Sequence, residues 1–181
     1  MTAQMHDHID YGDESYDLVG LEGYGLFRPY EHGLHPCFRS TACQRGYVCG
    51  YGLAENQLSL TSLRLSCPSD PPNLFGRTPK VDSRLGFAYP RLRHPVPFTG
   101  RLLIATEFIS GLYVHMGFQS AWKYKTVREL EFTEGRLLGE TDRSEESAAQ
   151  RGRMGSNPYL LPAGVDSADW IAQSFSLEFW K

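Results

Sequence analysis

A chain of 181 residues is long enough to form one domain that buries its own core without disulfide staples. Its 18 lysines and arginines against 21 aspartates and glutamates leave a formal charge of -3, which argues against a nucleic-acid partner. No stretch approaches the roughly 20 apolar residues a membrane helix needs, and the polar, acidic N-terminus lacks the basic and apolar regions of a secretion signal, so no membrane and a cytoplasmic setting are expected.

The 18 glycines and 11 prolines favour many turns, and ten tyrosines, ten phenylalanines and three tryptophans suit cross-strand pairing. The expected fold is mainly β: an antiparallel sandwich or partly open barrel built from hairpins, with one or two short helices near the C-terminus. Residues 1–14 carry Asp7, Asp10, Asp13 and Glu14 with no lysine or arginine, and are expected to be a flexible tail before a single domain over 15–181. His6 and His8 flank Asp7, but a floppy end offers a metal no preorganised geometry.

Ser15 to Leu21 alternates weakly, as a first strand would. The GLEGYG run at 20–25 is not a dinucleotide fingerprint, because Pro29 blocks the helix that motif must open. Residues 28–42 have no sustained period and read as a loop carrying Tyr30, His32, His35, Cys37, Phe38 and Arg39. Such a loop is either a binding surface or a flap whose Leu34 and Phe38 plug the open end of the sheet.

Residues 43–66 hold the best-specified hairpin. Tyr47 to Tyr51 suits a strand, Ala54-Glu55-Asn56-Gln57 a turn, and Leu58, Leu60, Leu63 and Leu65 alternate with one slip of phase at Ser62-Leu63. A bulge there keeps all four leucines on one face, while a strand ending near Thr61 is the alternative. Residues 67–83, with Pro68, Pro71, Pro72 and Pro79, make a long connection anchored by Leu74 and Phe75. Residues 84–101 are the most basic stretch, with Arg84, Arg91, Arg93, His94 and Arg101, and their prolines allow only a sheet edge or rim.

Gly100 to Phe108 is a strand apolar on both faces near its start, and LYVHM at 112–116 puts Tyr113 and His115 on one face if extended. Thr126 to Glu140 is a second hairpin turning at Glu134-Gly135, with Leu130 and Phe132 inward and its glutamates outward. Residues 141–164 form either a short helix capped by Asp142 or Ser144 or a mobile segment. Asp166 or Ser167 caps a further helix, after which Phe175, Leu177 and Phe179 alternate as a terminal strand able to pair two copies of the chain.

The cysteines at 37, 43, 49 and 67 lack zinc-site spacing and are expected to be thiols; neither metal nor cofactor is implied. No phosphate-binding loop, nucleophile elbow, His-Glu-x-x-His or EF-hand loop occurs. His115 with Glu129 and Glu107 is the candidate acid–base set, since a histidine fixed by a carboxylate titrates near neutrality. Arg45, Tyr47, Tyr30, Phe38, Arg91 and Arg93 are the candidate binding residues, being aromatics and arginines on strand ends and loops. For Arg45 the alternative is a guanidinium lying over a tyrosine and paired with a carboxylate.

The segment Cys43-Gln44-Arg45-Gly46-Tyr47, its continuation to Leu53 and the leucine strand after Asn56 resemble a segment recurring in small uncharacterised bacterial β-rich proteins. There an aromatic residue commonly replaces Gln44 and a tryptophan stands where this chain has Tyr51. Leu112 to Gly117 and the strand from Thr126 to Leu138 resemble the same group, so the likeness spans most of residues 15–140. It implies a bacterial domain with a variable end after 141, and carries no activity and no site residue.

Together these features favour an accessory or protein-binding domain, immunity- or defence-associated, with another protein as partner. One alternative is a small hydrolase or transferase acting on a nucleotide or nucleotide-sugar, with His115 and Glu129 as acid–base groups and Arg45 holding the anionic substrate. The other is a structural homodimer joined through the C-terminal strand.

Overall fold

The computed structural model describes residues 2–154, 164, 166–168 and 177. Among them ten strands form one sheet: β1 (His8–Tyr11), β2 (Glu14–Tyr24), β3 (Tyr47–Ala54), β4 (Gln57–Leu65), β5 (Lys80–Asp82), β6 (Gly86–Tyr89), β7 (His94–Pro95), β8 (Thr99–Phe108), β9 (Tyr124–Thr133) and β10 (Arg136–Asp142), followed by the helix α1 (Ser144–Met154). The spatial order is β10-β9-β8-β2-β1-β3-β4-β6-β5, with β7 beside β4. The sheet curls until β10 meets β4 at the single pair Arg136–Gln57, where Leu58 N–H donates to Gly135 O (2.8 Å) and Leu137 N–H to Asn56 O (2.9 Å). It is a partly open curl rather than a closed barrel. No described helix is long and apolar enough to cross a membrane.

The two predicted hairpins are present, and their turns explain why. Glu55 and Asn56 both take positive φ (52° and 61°), as do Glu134 and Gly135 (49° and 77°), the backbone twist that two-residue hairpin turns require. In the first hairpin Gly50 faces Ser62 and Tyr51 faces Leu60, so Thr61 is the extra residue of a bulge on β4. The strand therefore continues through the phase slip, and Leu58, Leu60, Leu63 and Leu65 are all fully buried. Their face joins Leu18, Tyr51, Phe98, Leu102, Ile104, Leu130 and Phe132 in the main core inside the curl.

β8 is apolar on both faces because both are covered. Leu102 and Ile104 point into the curl, while Leu103 and Ala105 meet Val19, Ala121, Tyr124 and Val127 in a second cluster outside it. There α1 closes over the sheet, with the Ser147 hydroxyl, wholly buried, donating to Ala121 O at 3.0 Å. Asp142 accepts from Ser144 N–H at 2.8 Å at the entry to α1, and Glu145 and Glu146 lie in the first turn where the helix dipole favours them. The expected cap is thus realised, and the helix passes through Gly152 to Met154.

Residues 8–14, expected within a flexible tail, instead build β1 and the turn into β2. β1 pairs antiparallel with β2 and parallel with β3, which places it between the two halves of the sheet. The acidic residues that suggested a tail are partly internal: Asp7 is only 5% exposed. Of the loop over 28–42, Leu34 (1% exposed) plugs the main core as a flap would, whereas Phe38 (63% exposed) does not. The proposed cap at Asp166 is described, accepting from Ala168 N–H at 2.8 Å. The strand expected over Phe175–Trp180 lies outside the described residues except for Leu177, whose carbonyl accepts from Leu21 N–H at 2.6 Å.

Candidate functional site

Arg45 precedes β3 and turns inward rather than out. Its Nη2 and Nη1 donate to Asp7 Oδ1 and Oδ2 at 2.5 and 3.0 Å, its Nε donates to Tyr47 O at 2.8 Å, and its guanidinium lies 4.7 Å from the Tyr47 ring centre. Asp7 also accepts from Cys49 N–H at 2.6 Å. Burial alone pulls the Arg45 pKa down, but the Asp7 carboxylate outweighs it and leaves the guanidinium above its ordinary value. With every donor direction toward Asp7 and Tyr47 used, Arg45 is a strand-locking residue and has no fork left for an anionic substrate. Tyr47 lies half-buried under it.

The acid–base candidates do not converge. His115 is exposed in an irregular bend, not on a strand, with its ring edge-on to Tyr113 at 4.8 Å. Tyr113 in turn touches Phe108, which pairs with Tyr124 at the start of β9. Glu129 lies five residues further along β9, roughly 17 Å away at the rise of an extended strand. It does not face outward as expected: 8% exposed, it takes Arg101 at 3.3 Å and Arg143 at 3.0 Å. Glu107, at positive φ (59°) near the end of β8, accepts from the Thr126 hydroxyl at 2.9 Å and pairs with Lys125 at 3.7 Å. A general base must stand within hydrogen-bond reach of the proton it takes, and these three side chains serve three different neighbourhoods.

A second buried polar network occupies the outer side of β1 and β2. His6 contacts Leu18 O through Nδ1 at 2.9 Å and accepts Gln119 N–H on Nε2 at 3.1 Å, so Nδ1 carries the proton, and burial holds its pKa below the ordinary value. Lys123, 5% exposed, donates to Gln119 Oε1 at 3.0 Å and lies 5.4 Å from the Trp122 ring, and burial lowers its pKa to about 8. Tyr124 donates to Asp17 at 2.8 Å, and burial raises its pKa well above that of a free phenol. The sequence reading passed over Gln119 and Lys123, since neither belongs to a periodic pattern.

The open side of the curl is different in character. Residues 24–32 and 94–97 enclose a cleft of about 430 Å³ lined by Tyr24, Leu26, Phe27, Arg28, Glu31, His32, His94, Val96 and the prolines at 95 and 97. Phe27 stacks on His32 at 4.8 Å, Phe75 stacks on His94 at 3.5 Å, and His32 meets Phe75 edge-on at 5.1 Å. Burial, and then His32, lowers the pKa of His94. Phe75 holds its place in a tight turn, at φ 48°, closed by paired hydrogen bonds of 2.9 Å between Leu74 and Arg77. His32, His94 and Phe75 were each visible in the sequence, but three separate segments supply them, and no linear spacing announces their meeting.

The remaining binding candidates lie on connecting segments. Tyr30 is 58% exposed, Phe38 is 63% exposed, and Arg91 and Arg93 are exposed on the segment linking β6 to β7. Arg28, Arg91 and Arg93 make no ion pair among the described residues, whereas the pairs that exist fall on β2, β8, β9, β10 and α1 or join Arg45 to Asp7. All four cysteines are thiols, Cys49 wholly buried as strand filling. No group of three or more histidine, cysteine or acidic side chains gathers in metal-binding geometry among the described residues. Comparison with known proteins finds no matching family model, no matching curated protein and no matching solved structure.

Proposed function

We propose that this chain is an accessory domain that binds another protein through the loop side of its curled sheet, with Tyr30 and Phe38 as aromatic anchors and Arg91 and Arg93 as flanking cations. The observation that carries this reading is the pair of exposed rings, 58% and 63% accessible, on a loop whose Leu34 is pinned in the core. Large side chains on a preorganised loop lose little freedom on binding, and aromatic and arginine anchors dominate the energetics of protein interfaces. Arg45, engaged by Asp7, is not part of this surface. The four thiols fit a reducing, cytoplasmic setting, which belongs to the same proposal.

The test is quantitative capture of a partner from the source cell by the full chain and by a Tyr30→Ala/Phe38→Ala variant. Two interface anchors removed together should weaken retention by at least a factor of about 30, on the order of 2 kcal/mol. Equal recovery of the same partner by a variant with an unchanged circular dichroism spectrum would overturn the assignment.

A further inference from the structure

We propose that the cleft between residues 24–32 and 94–97 is a binding site for a planar heteroaromatic ring bearing an anionic group, with a nucleoside monophosphate as the representative ligand. Its volume of about 430 Å³ falls within the roughly 300–1,000 Å³ of small-molecule sites and exceeds what a single protein side chain fills. The walls are flat or rigid: Tyr24 and the prolines at 95 and 97 offer open faces beside the stacked pairs Phe27–His32 and Phe75–His94, and sequence-tolerant stacking on aromatic faces is how proteins hold bases. Tyr24 remains 68% exposed although it lines the cleft, leaving most of its ring uncovered.

The polar groups select the ligand's charge. Arg28 lines the cleft, is exposed, and has no ion-pair partner among the described residues, so its planar fork is available to a phosphate or carboxylate. The His32 and His94 ring centres lie 6.3 Å apart and add donors on the same lining. Glu31 is the lone carboxylate there and supplies an acceptor for a ring N–H or exocyclic amine. A purely apolar segment would leave Arg28 and both imidazoles unsatisfied, which is why a ring with an attached anion is the better occupant.

Isothermal titration calorimetry of the full chain at neutral pH tests this without any partner protein, so its outcome is separate from that of the protein-binding proposal. The titrants are adenosine, guanosine, cytidine and uridine monophosphates, the four nucleosides, and inorganic phosphate. At least one monophosphate should saturate one site in the millimolar range or tighter, with its nucleoside and inorganic phosphate each at least about tenfold weaker. Arg28→Ala and Tyr24→Ala alter exposed side chains, and each should weaken that monophosphate by about tenfold while leaving the thermal unfolding midpoint in place. Absence of saturable binding for all four monophosphates, equal binding by Arg28→Ala, or phosphate binding as tightly as the nucleotide would each overturn the assignment.

Discussion

Asp7 shows how far one side chain can determine a fold's connectivity. Its two oxygens take three donors, the Arg45 Nη1 and Nη2 groups and the Cys49 N–H, while its own carbonyl accepts from Leu18 N–H at 2.8 Å. Asp7→Ala leaves a largely buried guanidinium and a buried amide without partners, and should lower unfolding free energy by about 3–5 kcal/mol. Asp7→Asn keeps an acceptor and should lose visibly less; urea melts that rank the two variants equally would contradict the ion-pair account. Lys123 makes the opposite kind of residue, a buried cation with one carbonyl-type acceptor, Gln119 Oε1. Its folded pKa of about 8 lies below its ordinary 10.5. Between those values the unfolded chain holds more proton at this site, so stability rises with pH there, and below about pH 8 the full burial penalty stands. Lys123→Met should therefore be more stable than the parent near pH 7, by at most on the order of 3 kcal/mol, with the advantage shrinking toward pH 10. A difference independent of pH would rule out this origin.

At the scale of elements, what was legible was local. Both hairpins could be read because leucine alternation and a two-residue turn specify register over a short span, whereas the phase slip fitted a bulge and a strand end equally until Tyr51 is seen to face Leu60. β1 could not be read, because four residues with one buried apolar side chain, Ile9, look like any polar tail until Asp7 finds Arg45 across 38 positions. The LYVHM stretch misled in the other direction: its alternation suggests a strand, yet Leu112 ends a 3-10 turn and Val114 is held by Gln119, so Tyr113 and His115 sit in a bend. β1 also makes the sharpest prediction at this scale. Because it joins the β2-β8-β9-β10 half to the β3-β4-β6-β5 half, a chain lacking residues 1–11 keeps the β4–β10 corner as the strand pairing between them, beside the shared core. Such a chain should lose cooperative urea unfolding, and a parent-like transition midpoint would show that the two halves hold together without it.

Across the whole molecule, ion pairs and exposed aromatics fall on different elements. The strands β2, β8, β9 and β10 with α1 carry paired ions, Arg101 with Glu22 and Glu129, Arg128 with Glu140, and Arg143 with Glu129 and Glu146. Residues 24–38 and 91–97 carry exposed aromatics, a cleft, and arginines at 28, 91 and 93 that make no ion pair among the described residues. Paired charges stabilise a scaffold and offer little to a ligand, whereas unpaired cations beside uncovered rings offer both attraction and area. Tyr30, Phe38, Arg91 and Arg93 are exposed on connecting segments, while Arg45 is held by Asp7 and Tyr47, and Glu129 by Arg101 and Arg143. The most direct measurement is site-specific photocrosslinking in the source cell, with a benzophenone side chain placed at Phe38 or at Leu138, which is equally exposed (63%) but lies on strand β10. Recognition through the loop side predicts a discrete protein adduct from position 38 and none from position 138; adducts from 138 alone, or equally from both, would contradict it.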